Sequence, residues 1–130
     1  MTDRELGQAY RRYLACLNDR AWARLGEFVA EDAVHNDRPL GLAGYRAMLE
    51  QDVRQIPDLR FELELLVVDP PRLAARLRFD CTPAGSFLGL PVDGRRVTFA
   101  ENVFYEFRDG LIARVWSAID KAAIERQVQG

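Results

Sequence analysis

The hydrophobic pattern of this chain changes its period once, near Pro57, and this change limits the fold more than any other feature. Before Pro57, apolar residues recur at helical spacing; after it, they alternate with charged residues, as in strands that bury one face. A chain with its helices first and its strands afterwards is predicted to fold as α+β, with helices packed on one face of a sheet. The 130 residues suit a single domain spanning 1–130.

The first part of the sequence predicts three helices. Thr2 and Glu5 fit a capping box at the start of the first helix, and Asn18-Asp19 ends it. The third helix begins near Gly41 and ends before Pro57. The predicted buried faces consist of Leu6, Tyr10, Tyr13, Leu14 and Leu17 in the first helix, Trp22, Leu25, Phe28 and Val29 in the second, and Leu42, Tyr45, Leu49, Val53 and Ile56 in the third.

Residues 59–68 and 73–81 predict a first β-hairpin. Opposite charges face each other across it when Val67 lies opposite Leu73. The pairs predicted by this register are Glu64 with Arg76, Glu62 with Arg78 and Arg60 with Asp80. One face of the hairpin is therefore expected to be ionic and exposed. The other face is expected to bury its apolar residues, which on the first strand are Leu59, Phe61, Leu63 and Leu65.

The dipeptide Asp109-Gly110 predicts a second, tight hairpin. Counted back from this turn without a bulge, Glu101 lies opposite Ala118 and Asp120 lies opposite Phe99. The two carboxylates are then diagonal neighbours on one face, roughly 7–8 Å apart at Cα. Their other neighbours on this apolar face are Val103 and Trp116.

A carboxylate on an apolar face is costly unless it is hydrogen-bonded or protonated. Burial and a like-charged neighbour both raise the pKa of a carboxyl group, which suits proton transfer near neutral pH. Two alternatives stay open at this point. Asp120 would instead cap the last helix, which begins near Lys121, and Glu101 would pair with an arginine such as Arg95, Arg96 or Arg114.

The second hairpin is also apolar on its other face. That face is predicted to carry Phe104, Leu111, Ala113, Val115 and Ile119. Since the helices can cover only one side of the sheet, a second copy of the chain is expected on the other side. The predicted partner is thus a homodimer mate that contacts Phe104, Val115 and Ile119.

Composition and motifs exclude several classes of function. The formal net charge is −2, and acidic and basic residues are interspersed, so neither nucleic acid nor a membrane is an expected partner. The single histidine, His35, rules out a multi-histidine zinc site, and Ser86 lacks the nucleophile-elbow pattern. No metal and no cofactor are predicted. Two cysteines without metal-like spacing and an N-terminus without an apolar leader favour the cytoplasm.

The C-terminal part of the chain resembles SnoaL-like polyketide cyclases through the stretch VDGRRVTFAENVFYEFRDGLIARVWSAIDKAAIERQ. Two upstream segments, FVAEDAVHND and GYRAML, are similar to the family's second helix, first strand and third helix. This family belongs to the nuclear-transport-factor-like superfamily, which includes ketosteroid isomerases. The resemblance implies a cone-shaped, curved antiparallel sheet whose concave face is covered by the N-terminal helices and encloses a hydrophobic pocket.

The resemblance also implies a chemistry. Asp120 occupies the position of the family's general acid/base, near the end of the final strand, in an intramolecular aldol closure without metal or cofactor. Glu101 and His35 are the expected helpers. The family's assisting histidine has no counterpart on the strand of Glu101. The residues expected to line the pocket are Tyr13, Trp22, Phe28, Tyr45, Met48, Phe61, Phe79, Phe87, Leu88, Phe99, Val103 and Trp116.

The expected function is therefore that of a cyclase or isomerase that transfers protons on a hydrophobic, carbonyl-bearing small molecule. The alternative is a non-catalytic binder of small ligands on the same fold. A third possibility, an epoxide hydrolase, requires two acids that bracket an arginine inside the cavity.

Overall fold

The computed structural model describes residues 1–129, and it confirms the α+β prediction. Its helices are α1 (Asp3–Asn18), α2 (Gly41–Gln55) and α3 (Lys121–Gln129), with a 3₁₀ segment at Trp22–Glu27. Its strands are β1 (Val29–His35), β2 (Glu62–Asp69), β3 (Arg72–Cys81), β4 (Ser86–Phe87), β5 (Leu90–Pro91), β6 (Val97–Arg108) and β7 (Leu111–Ile119).

The ends of the helices follow the local sequence closely. The predicted capping box is confirmed: the Thr2 hydroxyl accepts from the Glu5 amide at 3.1 Å, and the Glu5 carboxylate accepts from the Thr2 amide at 3.0 Å. The second predicted helix is only the six-residue 3₁₀ segment, and Val29 begins β1 instead of belonging to that helix. A six-residue segment without a side-chain cap makes too few hydrogen bonds to form a stable α-helix.

Five strands form the main sheet in the order β1-β7-β6-β3-β2. The pairs β2–β3, β3–β6 and β6–β7 are antiparallel, whereas β1 lies parallel to β7, so the sheet is mixed and not wholly antiparallel as predicted. No hairpin joins β1 to β7, so no tight turn dictates the direction of that pair. Strands β4 and β5 form a separate small hairpin in the loop after β3.

The first hairpin contains a β-bulge that the predicted register did not include. Near the turn, Val67 pairs with Ala74 and not with Leu73 as predicted. The register shifts between Leu63 and Leu65, so that the Glu62–Arg78 pair is confirmed but Arg76 lies opposite Leu65. Glu64 is the extra residue of the bulge, yet its carboxylate still reaches Arg76 at 3.2 Å.

This first bulge changes which side chains of β2 point outward. Beyond Glu64, Leu65 and Val67 are exposed, at 58% and 55%, while Leu66 and Val68 pack against the core. The prediction that Leu65 lies on the buried face is therefore wrong. The predicted pair of Arg60 with Asp80 is absent as well, because Arg60 precedes β2 and Arg96 contacts Asp80 at 2.7 Å.

The second hairpin contains a bulge at Ala113. The Asp109-Gly110 turn is confirmed, with Arg108 opposite Leu111 and Phe107 opposite Ile112. The register then shifts by one residue, so that Glu106 pairs with Arg114 and Glu101 pairs with Ile119.

The consequence of the Ala113 bulge is an exchange of faces along β7. Beyond the bulge, Val115, Ser117 and Ile119 point to the helix-covered side, together with Glu101 and Val103 of β6. Trp116 and Ala118 point to the opposite, outer side. The prediction that Val115 and Ile119 lie on the outer face is wrong, and so is the prediction that Glu101 and Asp120 share a face.

Helix α1 packs against β2 and α2 packs against β1, so the two helices close the inner face of the sheet. Between them lies a continuous apolar core, in which Tyr10 and Ile112 have no exposed surface. Among residues 1–129, no helix has the length and the hydrophobicity that crossing a membrane would need.

Candidate functional site

A cavity of about 450 Å³ lies between the inner face of the sheet and the helices, a volume in the range of small-molecule sites. Its wall is mostly apolar. Nine of the twelve predicted pocket residues line it. They are Tyr13, Tyr45, Met48, Phe61, Phe79, Phe87, Leu88, Phe99 and Val103. The loop that carries β4 and β5 places Phe87 and Leu88 on this wall, and so acts as a rim of the cavity.

Three predicted pocket residues lie elsewhere. Trp22 and Phe28 pack against the core on the side of the 3₁₀ segment and do not line the cavity. Trp116 lies on the outer face of the sheet, directly opposite Phe104, because of the Ala113 bulge. There the guanidinium of Arg114 stacks over the Trp116 ring, 5.3 Å from its centroid.

Glu101 is a carboxylate on the inner wall of the cavity. Its place in β6, between Leu77 of β3 and Ile119 of β7, directs the side chain toward the helices. Within residues 1–129 its carboxylate has no ion-pair partner, so the predicted alternative of pairing with Arg95, Arg96 or Arg114 is absent. Burial, and next the negative charge of Asp52, raise the pKa of Glu101 to about 7.

Asp52 is a second carboxylate on the cavity wall, which the sequence analysis missed. It lies on α2 on the same stripe as Tyr45, Leu49 and Ile56, at spacings of seven, three and four residues. Burial raises the pKa of Asp52 to about 6. An acidic residue within an otherwise apolar helical stripe was the available signal, and its spacing from Tyr45 would have identified it.

His35 also faces the cavity, from the end of β1. Its Nε2 lies 3.3 Å from the Ser117 hydroxyl of β7, and its ring meets Tyr45 edge-on at 6.1 Å. Asn36 fixes this corner, because its side chain accepts from the Ser117 amide at 2.8 Å. Burial, followed by the positive charge of Arg38, lowers the pKa of His35 below its ordinary value, which favours the neutral imidazole.

Asp120 lies outside this constellation. It directly follows the last residue of β7, Ile119. Its carboxylate accepts a hydrogen bond from the Ala123 amide at 3.2 Å. This is the geometry of a helix N-cap, here at the start of α3. Asp120 is absent from the cavity wall, whereas the next residue, Lys121, lines it.

We expect Asp120→Ala to lower the free energy of unfolding by about 1 kcal/mol, because it removes the cap of α3. Asp120→Asn should lower it by only a few tenths, because an asparagine oxygen caps nearly as well. Urea denaturation of both variants measures the difference. Equal losses for alanine and asparagine would contradict the capping role.

The acids and the bases of the cavity limit the chemistry that it can perform. Glu101 and Asp52 are two acids in one cavity, but no arginine lines its wall within residues 1–129. Arg114, the arginine considered for an epoxide hydrolase, points outward and lies 3.6 Å from Asp37. The side chains therefore suit proton transfer by a carboxylate and lack the bracketed arginine of the third alternative.

Comparisons with known proteins agree with one another. The sequence profile of the SnoaL-like polyketide cyclases matches residues 7–128. A crystal structure of a SnoaL-like polyketide cyclase from Agrobacterium tumefaciens is 56% identical, with a TM-score of 0.95 over 98% of this chain and 99% of that one. TsrD from Streptomyces laurentii is 26% identical, with a TM-score of 0.85 over 98% of this chain and 97% of that one.

A further structure shares the fold alone. IdmH from Streptomyces antibioticus is 20% identical, with a TM-score of 0.82 over 96% of this chain and 99% of that one. No curated protein matches the chain. The profile match spans nearly all of the sequence and the Agrobacterium structure superposes over nearly all of both chains, so this chain belongs to the family of SnoaL-like polyketide cyclases.

Proposed function

We propose that this protein is a cofactor-free cyclase or isomerase that moves a proton on a hydrophobic, carbonyl-bearing small molecule, with Glu101 as the base. The observation that carries this proposal is an unpaired carboxylate on the wall of an apolar cavity, with its pKa raised to about 7. A base that titrates near the working pH is both ionised and strong enough to take a proton from carbon. The description of the family as polyketide cyclases supports the choice of substrate class, because polyketides carry several carbonyl groups.

In the proposed reaction, the Glu101 carboxylate takes a proton from the carbon next to a carbonyl group. The C–H bond breaks, an O–H bond forms on Glu101, and the electron pair moves to the carbonyl oxygen as an enolate. In a cyclase, the enolate carbon then attacks a second carbonyl of the same molecule and forms a C–C bond. Glu101 returns its proton to the new alkoxide, so the carboxylate is regenerated and no further reactant is consumed.

Hydrogen–deuterium exchange tests this proposal without knowledge of the natural substrate. Hydrophobic ketones such as 2-tetralone are incubated with the protein in D₂O, and the loss of their α-proton signals is followed by NMR. We expect exchange above the buffer rate with the wild type and not with Glu101→Gln. Ketones that bind but never exchange faster than in buffer would favour the alternative, a non-catalytic ligand binder.

Asp52 acts on Glu101 through its charge, so Asp52→Asn should shift the pH profile. The base must be ionised, so kcat/KM is expected to rise with pH through about 7 in the wild type. Removing the negative charge of Asp52 lowers the pKa of Glu101 and moves this rise to lower pH. The rate of ketone exchange between pH 5 and 9 measures the shift. An unchanged or alkaline-shifted profile would contradict the coupling.

We also propose that a second copy of the chain covers the outer face of the sheet. An apolar row crosses four strands there, formed by Val67, Ala74, Phe104 and Trp116. Phe104 is 59% exposed and Val67 is 55% exposed, so this row presents contiguous apolar surface to solvent. The neighbouring row carries both acidic and basic side chains, namely Asp69, Arg72, Glu106 and Arg114. A second copy related by two-fold symmetry can therefore pair its acidic residues with the basic residues of the first copy.

Phe104→Asp is expected to dissociate this dimer, because it places a carboxylate in the centre of the apolar row. Sedimentation at micromolar concentration should give about twice the 14.8 kDa chain mass for the wild type and the single mass for the variant. The control Ala122→Asp adds the same charge at an exposed position of α3 and should leave the dimer intact. A wild-type monomer at high concentration would contradict the proposal.

A further inference from the structure

The four tyrosines of the chain form two pairs of hydroxyl groups. The Tyr10 and Tyr105 hydroxyls lie 3.0 Å apart, and the Tyr13 and Tyr45 hydroxyls lie 2.8 Å apart. All four side chains are buried. Both members of the Tyr13–Tyr45 pair line the cavity, whereas in the other pair Tyr105 lines it and Tyr10 does not.

The Tyr13–Tyr45 pair has one more hydroxyl proton than its mutual hydrogen bond uses. Each hydroxyl carries one proton, and the bond between the two oxygens uses only one of them. Within residues 1–129 neither hydroxyl makes another hydrogen bond. One O–H group is therefore left as a donor on the cavity wall, where an unused donor lowers stability unless water or a ligand accepts from it.

The position of this donor fits that of the base. Tyr45 and Asp52 lie on one stripe of α2, seven residues and hence about 10 Å apart along the helix axis. Glu101 faces the same cavity from the opposite wall, close enough for its charge to contribute to the raised pKa of both Tyr13 and Tyr45. A carbonyl compound between these walls would present its oxygen to one side and its acidic C–H to the other.

We propose that Tyr45, supported by Tyr13, donates a hydrogen bond to the oxygen of a bound ketone or phenol and stabilises the negative charge on that oxygen. This inference rests on the proposed function in one respect: in turnover, the charge arises when Glu101 removes the neighbouring proton. The ligand class that the donor selects is a hydrophobic molecule with an enolate or phenolate oxygen.

Two features make Tyr45 the group that touches the ligand and Tyr13 a positioning residue. The Tyr45 ring meets His35 edge-on at 6.1 Å on the cavity wall, whereas the Tyr13 ring packs against Tyr10, Phe28 and Tyr105. In the proposed arrangement Tyr13 therefore donates to the Tyr45 oxygen, and Tyr45 keeps the free O–H group. A hydroxyl that already accepts one hydrogen bond becomes a better donor in a second, and a donor fixed in an apolar cavity needs no rearrangement when the charge appears.

The test uses 4-nitrophenolate, whose absorbance reports binding and ionisation without any turnover. Glu101→Gln is the common background, because it imitates the base after it has taken the proton and removes its repulsion of an anion. At pH 8 we expect saturable binding in this background. Adding Tyr45→Phe should weaken the affinity about 10- to 100-fold, the worth of a hydrogen bond to a charged group. Adding Tyr13→Phe should weaken it by a smaller factor.

Tyr10→Phe is the matched control, because it removes the same kind of tyrosine–tyrosine bond by changing a tyrosine that does not line the cavity. It should leave the affinity for 4-nitrophenolate within about twofold. The pKa of bound 4-nitrophenol provides the second measurement: Tyr45→Phe and Tyr13→Phe should both raise it, and Tyr10→Phe should not. A merely structural role of Tyr13 would not change this pKa.

Three outcomes would overturn the inference: no saturable binding in the Glu101→Gln background, equal affinity with Tyr45→Phe, or an equal loss with Tyr10→Phe. Failure of the proposed function would be visible separately. If Glu101→Gln still exchanges ketone α-protons at the wild-type rate while Tyr45→Phe releases 4-nitrophenolate, the donor pair stands and the base is wrong.

Discussion

Replacing Glu101 by glutamine is expected to lower turnover roughly 10²–10⁴-fold, the usual contribution of a general base. The amide keeps the size of the side chain but cannot accept a proton at neutral pH. The affinity for a neutral ketone should change much less, because the lost interaction belongs to the transition state. Ketone exchange at saturating and at limiting ligand concentrations separates the two effects.

Asp120→Asn is the decisive companion to this experiment. Both substitutions convert a carboxylate into an amide, but Asp120 caps α3 and lies off the cavity wall. We expect Asp120→Asn to retain turnover within a few-fold. The reverse outcome, with Glu101→Gln active and Asp120→Asn inactive, would return the proton-transfer role to the position that the family resemblance indicates.

The same Glu101→Gln substitution is expected to stabilise the protein at alkaline pH. The pKa of Glu101 rises from 4.5 to about 7 on folding, so the folded state holds the extra proton between these values. The free energy of unfolding therefore falls as pH rises through this window, and by pH 8 the loss is about 3 kcal/mol. Glutamine stays neutral and avoids that loss, which should raise Tm by roughly 10 °C at pH 8.

A gain in stability that appears at pH 8 and is absent at pH 4 would identify burial of the charged Glu101 carboxylate as the cause of the gain. At pH 4 Glu101 is protonated in both states, and wild type and variant should then be equally stable. Glu31→Gln, at an exposed site on β1, serves as the control and should change stability little at either pH. A variant no more stable than the wild type at pH 8 would mean that the Glu101 carboxylate is well solvated.

Local signals in the sequence predicted most elements of this fold. The change of period at Pro57 separated α2 from β2, the capping box located the start of α1, and Asp109-Gly110 located the turn between β6 and β7. Each of these features depends on a few neighbouring residues. The parallel pairing of β1 with β7 depends instead on contacts between distant parts of the chain, and no local pattern carries it.

The two bulges were missed because a simple count from a turn assumes unbroken pairing. Charge could have located the second one. Without a bulge, Arg114 would lie on the buried face opposite Tyr105; one extra residue moves it outward, opposite Glu106. In the first hairpin, the extra residue Glu64 likewise brings a charged pair together, because it places Glu62 opposite Arg78. A register that leaves a charge on the buried face is thus a signal for a bulge.

The candidate site could be predicted only in part, for the same reason. Glu101, Phe99 and Val103 were found because β6 alternates regularly. Asp52 was missed because only the apolar members of the α2 stripe were considered, and because its effect depends on a carboxylate on the opposite wall. Only the packing of α2 over the sheet brings it near enough to raise the pKa of Glu101.

The extra residue at Ala113 also affects how this protein can evolve. Because side chains alternate along a strand, deleting one residue there would send Trp116 and Ala118 into the cavity and Val115, Ser117 and Ile119 to the outer surface. A single codon therefore decides which half of β7 faces the cavity and which half faces the outer side of the sheet. Sequence changes at alternate positions of this strand should accumulate as two independent sets, and a one-residue deletion would exchange their roles in one step.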